Sequence, residues 1–272
     1  EFRRVLFRSV PLAGLAAVRA EGVVGPLQEL ARLAVLAADQ VNLRERVEDG
    51  ALVYSTRVQG GLEIPDRIEW VGRTRDLPAR YDDVPAHDLE GRHALIPGLV
   101  DAHTHLVFAG DRSEEFALRC GGATYEEIAA KGGGILSTVR ATREASDEAL
   151  LGLAVARVDE AVRWGVRTLE MKSGYGLEES AEFKQLRIAR LLQELYPQVR
   201  FQSTFLGAHA FPKEVPRERY LDLLVRDWIP RVGREKLADA CDVFIDRGYY
   251  TIEEGRQICE AALLAGLKIK LH

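Results

Sequence analysis

Ile96-Pro97-Gly98-Leu99-Val100-Asp101-Ala102-His103-Thr104-His105 is the stretch whose reading decides the fold. Leu95 to Val100 has the apolar content of a buried parallel strand. Successive side chains of a strand alternate between its faces, so Asp101, His103 and His105 point the same way. Two imidazoles therefore converge at the end of one strand. A third, His272, follows the run Leu267-Lys268-Ile269-Lys270-Leu271 and is placed like a ligand from another strand. Neutral imidazoles suit Zn or Fe, and a catalytic ion keeps one position open for water. His-x-His alone is a common accident; its position at a strand end is what gives it weight. Asp101 either holds an imidazole from behind or serves the strand end structurally.

Downstream, short apolar runs alternate with amphipathic helices, the pattern of βα units and a parallel sheet. A helix over about 146–164 turns Leu150, Leu153, Ala154, Ala161 and Val162 inward, and Val166–Met171 follows as a strand whose exit loop is Lys172-Ser173-Gly174-Tyr175-Gly176. A helix over about 180–196, carrying Phe183, Leu186, Leu191 and Leu195, stops at Pro197 before a strand at Val199–Phe205 with exit loop Leu206-Gly207-Ala208-His209. A third helix spans about 216–229 and ends near Pro230, before a strand at Cys241–Ile245. Thr251 and Glu254 have capping-box spacing for a fourth helix closing at Gly266, after which a last strand delivers His272. Every polar motif thus falls at the C-terminal end of a strand, where (β/α)8 barrels keep their chemistry. A full barrel takes about 250 residues. This chain has room for about five of eight strands after Ala94, so a C-terminal truncation is expected.

Upstream, short strand-like runs among Gly, Pro and Asp between about residues 49 and 96 read as a small β unit. The expected organisation is therefore residues 1–9 as a remnant of cloning or sequence assembly, 10–94 as an N-terminal segment containing a small β domain, and 95–272 as a partial barrel. Residues 10–48 are Ala/Leu-rich, with helical patterning over Leu27–Ala38. The 272 residues are 47% hydrophobic and carry a net charge of −5, with basic residues dispersed among acidic ones, which argues against a nucleic-acid partner. No apolar run approaches membrane-span length. Cys120, Cys241 and Cys259 lack disulfide or metal spacing and read as buried small hydrophobes in a reducing cytoplasm. Lys131-Gly132-Gly133-Gly134 lacks P-loop spacing and reads as an active-site loop, while Asp242 and Asp246 read as structural.

The segment Pro97–His105 resembles the first-strand signature of the amidohydrolase superfamily. With His105-Leu106-Val107-Phe108-Ala109-Gly110-Asp111-Arg112-Ser113, Glu170-Met171-Lys172-Ser173-Gly174-Tyr175-Gly176, Thr204-Phe205-Leu206-Gly207-Ala208-His209-Ala210 and Lys268–His272, the chain looks like the imidazolonepropionases. The resemblance implies an α/β fold, a partial (β/α)8 TIM-like amidohydrolase barrel with a small N-terminal β domain. It implies hydrolysis of 4-imidazolone-5-propanoate to N-formimidoyl-L-glutamate in histidine degradation, with one Zn or Fe ion. His103, His105 and His272 would bind the metal, and Arg112, Tyr175 and His209 the small-molecule substrate, His209 also acting catalytically. The chemistry is coherent: Arg112 can clamp a propanoate, Tyr175 offers a hydroxyl and a flat face, and His209 can move a proton. Without the resemblance, Arg112 would read as a solvated loop arginine, Tyr175 as a rim aromatic and His209 as a satisfied loop histidine. The family's later-strand aspartate and the polar residue three positions after the third histidine have no counterpart here. No membrane partner is expected, and a homodimer is compatible with the sequence. Two other readings stand beside this one: a different amidohydrolase-superfamily ring deaminase or hydrolase, and an inactive metal-binding fragment.

Overall fold

The computed structural model describes residues 2–7, 50–59, 62–88, 95–124, 127 and 133–272. The expected helix at Leu27–Ala38, and Lys131 and Gly132 of the glycine-rich loop, lie outside them. The chain divides into two units, one made of 1–100 with 161–168 and 198–200, the other of 101–160, 169–197 and 201–272.

In the first unit, β1 (Phe2–Phe7), β2 (Gly50–Gln59), β3 (Leu62–Arg73) and β4 (Ala86–Asp88) form a sheet of order β3-β2-β1-β4. β2 pairs antiparallel with both β1 and β3, and Ala51, Leu52, Val53 and Tyr54 of β2 are buried. Consecutive buried positions place this central strand between two covered faces. β1 falls within the stretch expected to be a remnant, where it pairs with β2 and β4.

The larger sheet has the order β5 (Leu99–Thr104), β6 (Val166–Lys172), β7 (Arg200–Ala208), β8 (Ala240–Val243), β9 (Lys268–Leu271). Strand order follows chain order, and β7-β8-β9 pair in parallel, as successive right-handed βα units produce. This is the α/β partial barrel of five strands that the sequence predicts. Its helices are α1 (Ser113–Cys120), α2 (Ile135–Glu144), α3 (Asp147–Arg163), α4 (Glu179–Leu195), α5 (Arg217–Leu223), α6 (Ile229–Arg234) and α7 (Ile252–Leu264). β6, β7 and β8 end in runs of buried residues, and Phe183, Phe205, Tyr220, Trp228 and Ile258 pack together between sheet and helices.

Several local expectations hold. α7 begins with a complete capping box, Thr251 accepting from the Glu254 amide and the Glu254 carboxylate accepting from the Thr251 amide. Others are corrected. β5 is not buried: it is an edge strand with Leu99 51% and Val100 60% exposed, because nothing pairs on its outer side among the described residues. Leu153, expected inward, is exposed, while α3 buries Leu150 and Ala154 as expected and Val158 besides; Leu191 and Leu195 of α4 are also exposed. The third helix does not stop at Pro230. Proline has no N–H to offer Arg226, and the chain passes through a π-helical turn at Leu224–Trp228 and resumes as α6. Of the cysteines, Cys241 is buried but Cys120 is exposed. No helix of the described residues is long and apolar enough to cross a membrane.

Candidate active site

The C-terminal ends of β5 to β9 gather the histidines. His103 comes from β5, His105 from just beyond it, His209 from just beyond β7, and His272 from just beyond β9. The His103 ring lies 5.3 Å from His272 and 5.9 Å from His105, centroid to centroid. His209 stacks on His105 at 5.2 Å and stands 6.1 Å from His272. Since β5 and β9 are opposite edges of a five-stranded sheet, four strand spacings of about 4.8 Å would part them by about 19 Å if the sheet were flat. The observed approach requires the sheet to curl into an arc.

These separations bear on metal binding. Three imidazoles on one tetrahedral ion, each with a metal–nitrogen distance of about 2.1 Å, would place their ring centroids about 5 Å apart. The His103 ring stands near that spacing from both His272 (5.3 Å) and His105 (5.9 Å). His105 Nδ1 and Asp242 Oδ1 are buried with no hydrogen-bond partner, two unpartnered atoms of the kind that ligate a divalent ion. Among the described residues, however, no group of three or more His, Cys, Asp or Glu side chains is already closed around one point. It is the donor types, imidazole nitrogen and carboxylate oxygen, that fit an ion.

Burial keeps the inner imidazoles neutral. It is the main influence lowering His105 to about 3, aided by repulsion from His209, His103 and Lys172. Burial likewise lowers His209 to about 4, against its bond to Gly174. His209 Nδ1 lies 3.1 Å from the Gly174 carbonyl, which assigns the proton to Nδ1 and leaves the Nε2 lone pair free. Tyr175 sits 4.7 Å from His105 and 5.6 Å from His209 between ring centroids, and burial raises its phenol while nearby Arg112 opposes the rise. Arg112 and Tyr175 line a 280 Å³ cavity with Phe108, Asp111, Thr138 and Arg157. All six residues predicted for the site are thus accounted for: the four histidines and Tyr175 share one cluster, and Arg112 lines the adjoining cavity.

Asp101 does not reach an imidazole; its carboxylate accepts from the His103 backbone amide at 3.4 Å and is solvent-exposed. Asp242, expected to be structural, instead lies 1% exposed beneath the cluster. Its Oδ2 accepts from Lys172 Nζ at 2.5 Å and from His272 Nδ1 at 3.1 Å. Burial opposes ionisation of Asp242, but those two hydrogen bonds outweigh it and hold the carboxyl below its usual range. Lys172, assigned by sequence to the exit loop, is the last residue of β6 and also lies 3.0 Å from Glu170. Glu170 accepts from Thr204 at 2.7 Å and from Lys270 of β9. The chain Lys270, Glu170, Lys172, Asp242, His272 thus runs across the mouth of the arc. The missed signal is a period of two: Glu170 and Lys172, then Lys268, Lys270 and His272, put charge on one face of otherwise apolar strands.

Arg157 was also missed. It donates to the carbonyls of Leu106 (2.6 Å) and Phe108 (2.7 Å) and stacks over the Phe108 ring at 3.6 Å. That pins the loop between His105 and Arg112.

No protein-family model matches the chain. It is similar to curated imidazolonepropionases: 44% identical over 244 residues to that of Polaromonas sp., covering 87% of this chain and 57% of the relative. Against the enzyme of Paracoccus denitrificans it is 48% identical over 228 residues, covering 83% and 54%. The value for that of Shewanella sediminis is 49% over 209 residues, covering 76% and 51%. The chain spans about half the length of the curated relatives it matches. Among solved structures, 5-methylcytosine deaminase from Klebsiella pneumoniae, liganded with 5-fluorocytosine, superposes with a TM-score of 0.52 at 16% identity, over 84% of this chain and 48% of that one. At that identity the likeness concerns fold alone.

Proposed function

Because the chain belongs to the imidazolonepropionase family of amidohydrolases, we propose that the whole protein hydrolyses 4-imidazolone-5-propanoate to N-formimidoyl-L-glutamate, with His103, His105 and His272 holding one Zn or Fe ion. The observation that carries the proposal is the assembly of four imidazoles and Tyr175 beside a cavity lined by Arg112. A bound ion would supply a water of lowered pKa, about 7 on zinc, as nucleophile.

The chain's own residues do the rest. Arg112 presents a fork of donors suited to a carboxylate, and the 280 Å³ cavity gives the propanoate tail somewhere to lie. The Tyr175 ring, lying between that cavity and the histidines, packs against a planar heterocycle. His209, neutral and with Nε2 free, accepts a proton as water adds to the ring carbonyl and returns it to the departing ring nitrogen. Asp242 accepts a hydrogen bond from His272 Nδ1 and so turns Nε2 away from itself, and Lys172 balances the carboxylate charge. The free cysteines suit a cytoplasmic setting.

The test is turnover by the whole protein of imidazolone propanoate against cytosine and guanine-type rings, with metal analysis alongside. Formimidoylglutamate release, and a rise in KM for Arg112→Ala with metal content unchanged, are expected. Absence of that product, or faster turnover of an aminated ring, overturns the proposal. A chelator should remove the ion and lower the melting temperature.

A further inference from the structure

Glu182 lies on α4, one turn inside the helix, and is 0% exposed. A carboxylate in such a place must be satisfied completely, because an uncompensated buried charge is strongly destabilising. Its oxygens are satisfied by one short segment. The amides of Gly176 and Leu177 donate to Oε1 at 2.8 and 2.9 Å, and the Gly174 amide donates to Oε2 at 3.0 Å. Ser173, at the start of the same segment, accepts from the Leu206 amide at 2.9 Å, tying it to β7.

The segment so gathered, Ser173–Leu177, carries Tyr175 at its apex. Its backbone is held in conformations that require support: Leu177 has φ +50 and Gly174 φ +106. The Gly174 carbonyl fixes His209 Nδ1 at 3.1 Å. Contact is close on both sides. A Cβ on Gly176 would meet the Glu182 amide nitrogen at 2.5 Å, and one on Gly174 would meet His209 Nδ1 at 2.8 Å. Arg143 closes the far end by donating to the Gly176 carbonyl at 2.7 Å.

We infer that Glu182 is a positioning residue of the active site, its buried carboxylate acting as the template on which Ser173–Leu177 folds and through which Tyr175 and His209 are set against the substrate. No side chain of the loop could replace it, because all three bonds are made by backbone amides. Its location near the N-terminus of α4 favours the negative charge, while burial pushes its pKa up. Glutamine cannot substitute, since one end of its amide would present N–H groups to amide donors. The inference rests on the proposed hydrolysis for its kinetic readout only.

The experiment follows backbone hydrogen exchange over residues 172–178 together with hydrolysis kinetics in the whole protein, for wild type, Glu182→Gln and Gly176→Ala. The second variant approaches the cradle from the loop side and serves if the first fails to fold. Amides of Gly174, Gly176 and Leu177 should exchange roughly ten-fold faster in either variant while those of β6 and β7 keep their rates. kcat/KM should fall by about ten-fold, and adding Tyr175→Phe to Glu182→Gln should change it by no more than about two-fold, although the same change costs its full amount in the wild type. Unchanged exchange in the loop, exchange raised throughout the protein, or additive kinetic losses overturn the inference. If the wild type shows no hydrolysis, the functional proposal fails, and loop-confined exchange still decides whether Glu182 is the template.

Discussion

Asp242→Ala is the perturbation with the largest consequence the structure allows to be worked out. The carboxylate is 1% exposed and takes hydrogen bonds from Lys172 Nζ (2.5 Å) and His272 Nδ1 (3.1 Å). Removing one member of a buried ion pair typically costs about 3–5 kcal/mol, because the other charge is left without its partner. Lys172, however, keeps Glu170 at 3.0 Å. The loss should therefore sit at the low end, about 3 kcal/mol, or a fall of about 6 °C in melting temperature for a protein of this size. The cause is a stranded ammonium, so Lys172→Met in the same protein should return part of the loss. The double variant should be more stable than the sum of the single changes predicts, by about 2 kcal/mol. Urea denaturation of wild type, both single variants and the double variant measures all four corners. An Asp242→Ala variant within about 0.5 kcal/mol of wild type, or strictly additive single changes, would refute the reasoning.

Three further outcomes follow from features away from the histidine cluster or at its rim. Hydrogen bonds from Arg217 are the main reason the Glu254 carboxyl is held down, to about 2, against some burial and with help from Thr251. Because the folded pKa lies below the ordinary 4.5, the stability it contributes is complete above pH 4.5 and is lost as pH falls toward 2; Glu254→Gln should flatten that part of an acid-denaturation profile. Thr251→Ala removes the side-chain half of the α7 capping box and should lower unfolding free energy by about 1 kcal/mol in urea. Gly174→Ala sets a side chain at φ +106 and against His209, and should cost at least about 1 kcal/mol in a thermal melt together with activity in the turnover assay.

Much of the barrel was legible because its signals are local. Alternation of short apolar runs with amphipathic helices located β6 to β9, and the Thr251/Glu254 spacing located the start of α7. The histidines were legible for a related reason: two-residue periodicity at β5 and position at the end of β9 both point to the same face. What was hidden depends on pairing between distant segments. The exposure of β5 follows from its place at a sheet edge, which no property of Leu99 or Val100 reveals. Asp242 looked structural because its partners, Lys172 and His272, are 70 and 30 residues away in the chain. Glu182 carries no local signal, since a carboxylate facing solvent and one facing three amides have the same sequence context. The π-helical turn before Pro230 shows a different limit. Proline announces a break in hydrogen bonding, but whether the helix stops or widens is decided by tertiary context that the local sequence does not carry.

The two edges of the sheet are joined by chords. Lys270 of β9 reaches Glu170 of β6, past β7 and β8, and His103 of one edge strand stands 5.3 Å from His272 at the other. Flattening an arc braced in this way lengthens every chord at once. Curvature of the backbone and spacing of the imidazoles are consequently a single coordinate. A ligand that draws the rings together tightens the whole sheet, and a mutation far out on a helix that relaxes the curl will be felt first as a misplaced histidine.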